Sequence, residues 1–343
     1  MGTTKSITIV GGGLAGLTLG IGLRQRNVPV TILEAGNYPR HRVCGEFISG
    51  RGQGTLKRLG LLELVEQAGA VTAQTVAFFS TTRSGLPHPL PEQAVCLSRY
   101  VLDAALVKRF QELGGVLVEN RRHTGEFGEG FVRATGRRPQ PGKNGGRVGL
   151  KIHVRNVRLS ADLEMHTSPK GYVGLCKIGE GEINVCGLFY ETTNEKSKAG
   201  REWLCGPEGS PLNRRLERAE FDEDSFCAVA GMSLRPERAV SRTEVCVGDA
   251  ITMIPPVTGN GMSMAFESAE LAIGPLTAWS EGVLTWEQAR QKIAQDCDKA
   301  FSVRLTWARW LQQMMLVPIL QNPMVSMMGH SGLFRRMAFQ YTR

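Results

Sequence analysis

Ile7-Thr8-Ile9-Val10-Gly11-Gly12-Gly13-Leu14-Ala15-Gly16, followed by Leu17 to Arg26 and then by Val28 to Leu33 and Glu34, is the stretch on which the fold turns. A short β-branched run reads as a strand, GxGxxG as a turn, Leu17 to Arg26 as a helix and Val28 to Leu33 as a second strand. Each glycine in such a unit has a physical task. Gly11 permits the tight turn, Gly13 leaves room for a pyrophosphate to touch the backbone, and Gly16 lets the helix pack closely on the strand, with Ala15 inside the same turn. The helix N-terminus then faces the phosphates. Glu34, about twenty residues after the turn, takes the ribose hydroxyls. FAD and NAD are not separated by this pattern. The uncharged stretch from Ser6 to Leu23 imitates a membrane or signal segment, but its six glycines suit a turn rather than a continuous spanning helix.

The composition agrees with a soluble, folded chain. At about 150 residues per domain, 343 residues suggest about two domains. An apolar share of 42% with 21% charged residues excludes disorder, collagen-like repeats and a polytopic membrane protein. The net charge of +9 favours anionic partners such as nucleotides, phosphates or headgroups. Its basic residues are scattered and carry no recognition motif, so nucleic acid is excluded as a partner. Eight cysteines without a Cys-x-x-Cys pair indicate neither zinc nor a disulfide scaffold, and reduced thiols fit the cytoplasm. The six histidines show no spacing expected of a metal pair, so no metal is expected.

Downstream, Gly54 to Ala68 reads as an amphipathic helix, Val76 to Phe79 as a strand, and the segment after Ser98-Arg99 as a helix ending at Gly114-Gly115. Strands follow at Val116 to Val118 and Phe131 to Arg133. Arg137-Arg138-Pro139 leads into Pro141 to Gly146, a breaker cluster that reads as an exposed domain crossing. Gly149 to Val154, Tyr172 to Ile178 and Ile183 to Phe189 are short strands of a sheet-rich second domain. Then come a charged, helical interval from Glu195 to Glu220, a strand ending at Gly248-Asp249, the segment Pro255-Pro256-Val257-Thr258-Gly259-Asn260-Gly261-Met262, and an apolar helix from Ser263 to Ile273.

With GGGLAG and Glu34, Arg42-Val43-Cys44-Gly45-Glu46, Ser98-Arg99-Tyr100-Val101-Leu102-Asp103 and GDAITMIPPVTGNGM, the sequence resembles the glutathione-reductase-type flavoproteins of the aromatic-hydroxylase and geranylgeranyl-reductase superfamily, over most of the chain to about Leu276. The resemblance implies FAD. It implies Gly11, Gly13 and Gly16 at the pyrophosphate, Glu34 at the ribose, Arg42 and Arg99 as cationic FAD contacts, and Gly248 with Asp249 at the ribityl or pyrophosphate. Pro255, Gly259, Asn260, Gly261 and Met262 then lie beside the isoalloxazine. Free amides at the start of the following helix stabilise negative charge on a reduced flavin. The chain departs from its relatives where they differ in chemistry. Ala134-Thr135-Gly136-Arg137-Arg138 stands where aromatic hydroxylases carry an Asp-Gly segment, and Tyr172 to Lys177 where geranylgeranyl reductases carry Tyr-x-Trp-x-Phe-Pro. None of the five tryptophans forms the Trp-x-Trp-x-Ile-Pro motif of flavin halogenases.

The fold implied is α/β: a Rossmann-like FAD-binding domain with an inserted sheet-rich substrate domain and a helical C-terminus. Residues 1–75, 98–140 and 241–283 are assigned to the first, 76–97 and 141–240 to the second, and 284–343 to the last. The function implied is an FAD-dependent oxidoreductase, a monooxygenase acting on an aromatic or polyketide-like small molecule. A reductase of carbon–carbon double bonds in an isoprenoid or other lipophilic substrate is the rival, and a flavin electron-relay or binding protein is a further alternative. One nucleotide fingerprint leaves NAD(P)H as a transient reductant or a separate protein as electron donor. No catalytic side chain is demanded by motif; Cys44 and Glu46 are the nearest candidates, and Tyr172 is a candidate for lining the substrate site. From Phe301 onward an apolar, methionine-rich run with Arg304, Arg309, Arg335 and Arg336 reads as a pair of packed helices, or as a peripheral membrane contact.

Overall fold

The computed structural model describes residues 4–137, 146–168, 170–179, 181–190, 200–232, 234 and 237–342. In its first half the strands are β1 (Ile7–Val10), β2 (Val30–Leu33), β3 (Phe47–Ile48), β4 (Val71–Phe79), β5 (His88–Cys96), β6 (Val116–Val118) and β7 (Phe131–Arg133). Then follow β8 (Arg147–Arg155), β9 (Leu163–Ser168), β10 (Gly171–Lys177), β11 (Ile183–Tyr190), β12 (Glu220–Val229) and β13 (Val245–Cys246). The α-helices are α1 (Leu14–Arg24), α2 (Arg51–Arg58), α3 (Leu62–Gln67), α4 (Arg99–Glu112), α5 (Pro211–Leu216), α6 (Gly261–Ser280), α7 (Trp286–Leu316), α8 (Pro318–His330) and α9 (Gly332–Thr342).

Two sheets organise these elements. The first is parallel in every pairing, in the order β13-β7-β1-β2-β6. As a doubly covered parallel sheet requires, Ile7, Ile9, Ile32 and Val132 have no exposure. α1 packs against α6 closely enough that a Cβ at Gly22 would strike Ile273, and Gly20 lies against Ile32 and Phe110. The second sheet runs β12-β8-β11-β10-β9-β4-β5-β3 and is largely antiparallel. On β8 the two faces differ sharply. Val148, Leu150, Ile152 and Val154 join Leu204, Leu212 and Leu216 in one core, whereas the alternate residues Lys151 and His153 point the other way and are equally buried.

Several elements depart from the sequence reading. α1 begins at Leu14, not Leu17, and β2 at Val30, not Val28. Gly54 to Ala68 is not one helix: Gly60 adopts φ 65° and separates α2 from α3. β4 begins at Val71, and β5, β9 and β12 were not anticipated, since their polar residues blur the alternation. The interval 195–220 holds only the 3₁₀ turn Arg201–Cys205 and α5, capped by Ser210 with Pro211 in the first turn, and its last residue opens β12; 191–199 lie outside the described residues. The domain crossing also falls mostly outside them, at 138–145. α6 extends to Ser280 through Pro275. The C-terminal region is three helices rather than two, because extended backbone at Val317 before Pro318 and at Ser331 interrupts the run.

α6 and α7 are joined by a buried bidentate pair in which both Arg304 Nη atoms donate to Glu267 at 2.7 Å. Removing one partner leaves an uncompensated buried charge. Arg304→Met is expected to destabilise the protein by about 3–5 kcal/mol in denaturant titration. Lys292→Met, at the exposed Lys292–Asp296 pair of the same helix, is expected to change stability by less than about 1 kcal/mol.

Candidate functional site

The glycine turn between β1 and α1 separates glycines needed by the fold from one needed only by a ligand. A Cβ at Gly11, where φ is 108°, would strike the carbonyl of Ala134, and one at Gly16 would strike the carbonyl of Gly11. A Cβ at Gly13 meets no atom within 4 Å. At the end of β2, Glu34 Oε2 accepts from Gly12 N at 2.8 Å and Oε1 from Gly36 N at 2.9 Å, while Arg40 pairs with both oxygens at 2.8 Å. Burial alone would raise the Glu34 pKa, but Arg40 and the two amides outweigh it and hold the carboxyl at about 2. The chain itself thus fills the lone pairs of the carboxylate. Arg40 was not singled out from the sequence; its only signal was a cation six residues beyond Glu34. Tyr38 donates its hydroxyl to the carbonyl of Gly12, and burial together with Glu34 pushes its pKa up.

The two arginines expected at the cofactor differ in their partners. Arg99 binds Asp103 through two hydrogen bonds of 2.7 Å, one turn along α4. Arg42 makes no ion pair among the described residues, and burial, then Arg40 and Arg99, lower its pKa. Asp249 sits in the 3₁₀ turn Gly248–Ala250 after β13; Gly248 takes φ 63° and donates its N–H to Ser268 Oγ at 2.8 Å. The Asp249 carboxylate makes no hydrogen bond among the described residues, and burial raises its pKa to about 6 against the pull of Arg137 and Arg99. Pro255 precedes the 3₁₀ turn Pro256–Thr258, Gly259 turns left-handed at φ 62°, and Asn260 leads into Gly261 and Met262 at the start of α6. The first-turn amides there lie outside the intrahelical ladder. Asn260 donates its side-chain amide to the carbonyl of Thr342, while its Oδ1 is buried without a partner. Open space at Gly13, an unpaired Arg42, an unpartnered Asp249, an orphaned Asn260 Oδ1 and free helix amides together fit an anionic dinucleotide ending in a flavin.

Cys44 and Glu46 lie on the loop between β2 and β3. Glu46 has φ 59° and no exposure. Its Oε1 accepts from Arg99 N at 2.9 Å with Lys151 Nζ at 3.6 Å, and its Oε2 meets His153 Nε2 at 2.7 Å. Lys151 in turn donates to His41 Nδ1 at 3.0 Å. Burial, then the Lys151 charge, lower the His41 pKa to about 4, leaving a neutral ring at neutral pH. Burial pushes the Cys44 thiol up, and Arg99 only partly offsets this, so Cys44 remains a thiol. Lys151 and His153 were missed in the sequence, although a Lys and a His two residues apart in an otherwise apolar strand were the available signal.

An apolar cavity of about 60 Å³ opens beside the Pro255–Met262 segment. Val257 lines it together with Phe78 and Met165 of the second sheet and Leu311, Met315 and Met324 of the C-terminal helices. Tyr172 belongs to the same apolar cluster; it donates to Gln312 Oε1 at 3.1 Å, which also accepts from Val257 N at 3.3 Å. Tyr172 thus packs beside the cavity and ties β10 to α7 and the Val257 turn.

Residues 4–169 match a family model described as FAD binding domain. The curated protein "Conditioned medium factor receptor 1" of Dictyostelium discoideum is 22% identical over 83% of this chain, and the chain spans 66% of that relative's length. Among solved structures, the flavin-dependent brominase Bmp2 superposes with a TM-score of 0.76 at 18% identity, covering 97% of this chain and 92% of that one. The p-nitrophenol 4-monooxygenase PnpA from Pseudomonas putida gives 0.75 at 16%, covering 99% and 97%. PqsL from Pseudomonas aeruginosa, described as a probable FAD-dependent monooxygenase, gives 0.69 at 16%, covering 94% and 99%. These likenesses establish the fold. No helix among the described residues is long and apolar enough to cross a membrane.

Two outcomes are expected. Gly13→Val should abolish flavin retention, read from visible absorbance of the purified protein, without lowering the melting temperature of the apoprotein, whereas Gly16→Val should unfold it. Because the Glu34 pKa falls from 4.5 to about 2 on folding, its contribution to stability is complete above pH 4.5 and disappears as pH falls towards 2. Acid titration of Glu34→Gln should therefore show a flatter loss of stability through that window than the wild type.

Proposed function

We propose that this FAD-dependent oxidoreductase is a monooxygenase that hydroxylates an aromatic or polyketide-like small molecule, with NAD(P)H as transient reductant or a separate protein as electron donor. The observation that carries the reading is the apolar, methionine-lined cavity beside Val257. Bound FAD supplies hydride acceptance and dioxygen activation. The chain's own part is to bind, orient and keep water out. The glycine turn, Arg42 and Asp249 would hold the dinucleotide, and the first-turn amides at Gly261 and Met262 would favour negative charge on a bound flavin. Phe78, Met165, Met315 and Met324 exclude water from the substrate side. Glu46, held by His153 and Arg99 N, would be the carboxylate that moves a proton.

At about 60 Å³ the cavity is smaller than ligand pockets of roughly 300–1,000 Å³. Substrate therefore enters as α8 and α9 draw back about the breaks at Val317 and Ser331. The names of PnpA and PqsL support monooxygenation; halogenation lacks its tryptophan motif in this chain. The exposed Ile319 and Leu333 on α8 and α9 favour the second reading, in which a lipophilic isoprenoid is taken up at a membrane surface and a double bond is reduced. A cytoplasmic setting accords with eight free cysteines.

Oxygen separates the readings. Purified FAD-loaded protein supplied with NAD(P)H and a panel of phenols and polyketide aromatics is expected to consume reductant and insert one atom of labelled dioxygen into product, detected by mass spectrometry. Substrate reduction that proceeds without air would overturn hydroxylation in favour of the double-bond reductase. Electron transfer to an acceptor protein with every substrate unchanged would favour the relay.

A further inference from the structure

We infer that the chain binds a divalent first-row transition-metal cation, of the zinc or manganese class, through His153, Glu182 and Asp222 at the outer end of the second sheet. Three strands bring these residues together. His153 of β8 and Asp222 of β12 are directly opposed across an antiparallel pair, and Glu182 immediately precedes β11, whose Asn184 opposes His153 from the other side. One ligand atom from each residue lies within 4.8 Å of the other two, with His153 Nδ1 at 3.8 Å from Glu182 Oε1. Tetrahedral bonds of about 2.1 Å need ligand atoms about 3.4 Å apart, a closure that rotation of the two carboxylate side chains supplies.

Glu46 gives independent support. Glu46 Oε2 lies 2.7 Å from His153 Nε2 and holds the ring from behind. Nδ1 is thereby turned to the Glu182 carboxylate, 3.8 Å away. A carboxylate that fixes a histidine tautomer from behind is the usual outer support of a metal-ligating imidazole. The backbone is shaped to the same end. Ser225 Oγ accepts from His153 N at 2.7 Å and donates to Asp222 O at 2.6 Å, within the register shift that separates Asp222 from Cys227. Bulges of this kind re-aim side chains.

The ligand set also fits charge and access. Two carboxylates balance a divalent ion, and one imidazole with two carboxylates and no thiolate favours zinc or manganese over soft ions. His153 is buried, Glu182 half-buried and Asp222 exposed, so an ion reaches the buried nitrogen from solvent. The competing cation, Arg155, stands 3.7 Å from Glu182 with a side chain 69% exposed, free to turn into water.

Calorimetric titration of the FAD-loaded protein with zinc chloride, and separately with manganese chloride followed by electron paramagnetic resonance, tests the site. One ion per chain is expected. Glu182→Gln and Asp222→Asn should each weaken binding by about tenfold or more, with flavin content and circular dichroism unchanged. Asp224→Asn, an exposed acid on the same strand, should bind as wild type. Binding that is unaltered in a Glu182→Gln, Asp222→Asn double variant, or weakened equally by Asp224→Asn, would overturn the assignment, as would the absence of binding to the wild type.

Discussion

The carboxylate of Glu46 has no access to water, and a charge so placed is tolerated only while hydrogen-bonded and paired. Its three partners come from two places: Arg99 N at the start of α4, and Lys151 and His153 on β8. The loop after β2 belongs to the nucleotide-binding half, and β8 to the second sheet, so satisfying one carboxylate fixes how the halves meet. Asn184 repeats the link by donating to the carbonyl of Cys44 at 2.9 Å. The left-handed backbone at Glu46 aims the side chain inward at this junction.

Around that junction the protein distributes its charges with economy. Arg40 and Arg99 are neutralised by Glu34 and Asp103. Among the described residues Arg42 makes no ion pair and Asp249 no hydrogen bond, and the two are of opposite sign. The glycine-turn end is thus polar and incompletely satisfied, and the cavity beside Val257 is apolar and lined by methionines.

The strand–turn–helix at Ile7 to Arg26, the Glu34 terminus and the Asp249 turn were legible because backbone geometry at those places demands particular residue types in a fixed order. β5 and β12 were not, since strands bearing Glu, Asp, His and Pro on an exposed face lose the period of two, and in β9 buried Glu164 and His166 do the same. Gly60 shows the limit of helical periodicity, as the apolar spacing of Leu56, Leu59, Leu62 and Val65 continues across a residue that ends the helix. Asp222 escaped because it becomes a neighbour of His153 only through β8–β12 pairing, between segments about seventy residues apart in sequence. Tyr172 was visible as a residue, but its partner Gln312 is 140 positions away.

The parallel sheet has a kinetic consequence. β1 gains its neighbour β7 only after more than a third of the chain has been made, and β13 and α6 arrive far later. A nascent chain therefore carries its glycine-rich first unit unpaired on one side until β7 emerges, and β7 without β13 while β8 to β12 are synthesised. Pairings of such long sequence separation close slowly and leave apolar strand edges open to association. Emergence of α6 from the ribosome is then the event that commits the first half to its final form, and chaperone dependence should be concentrated in the interval before it.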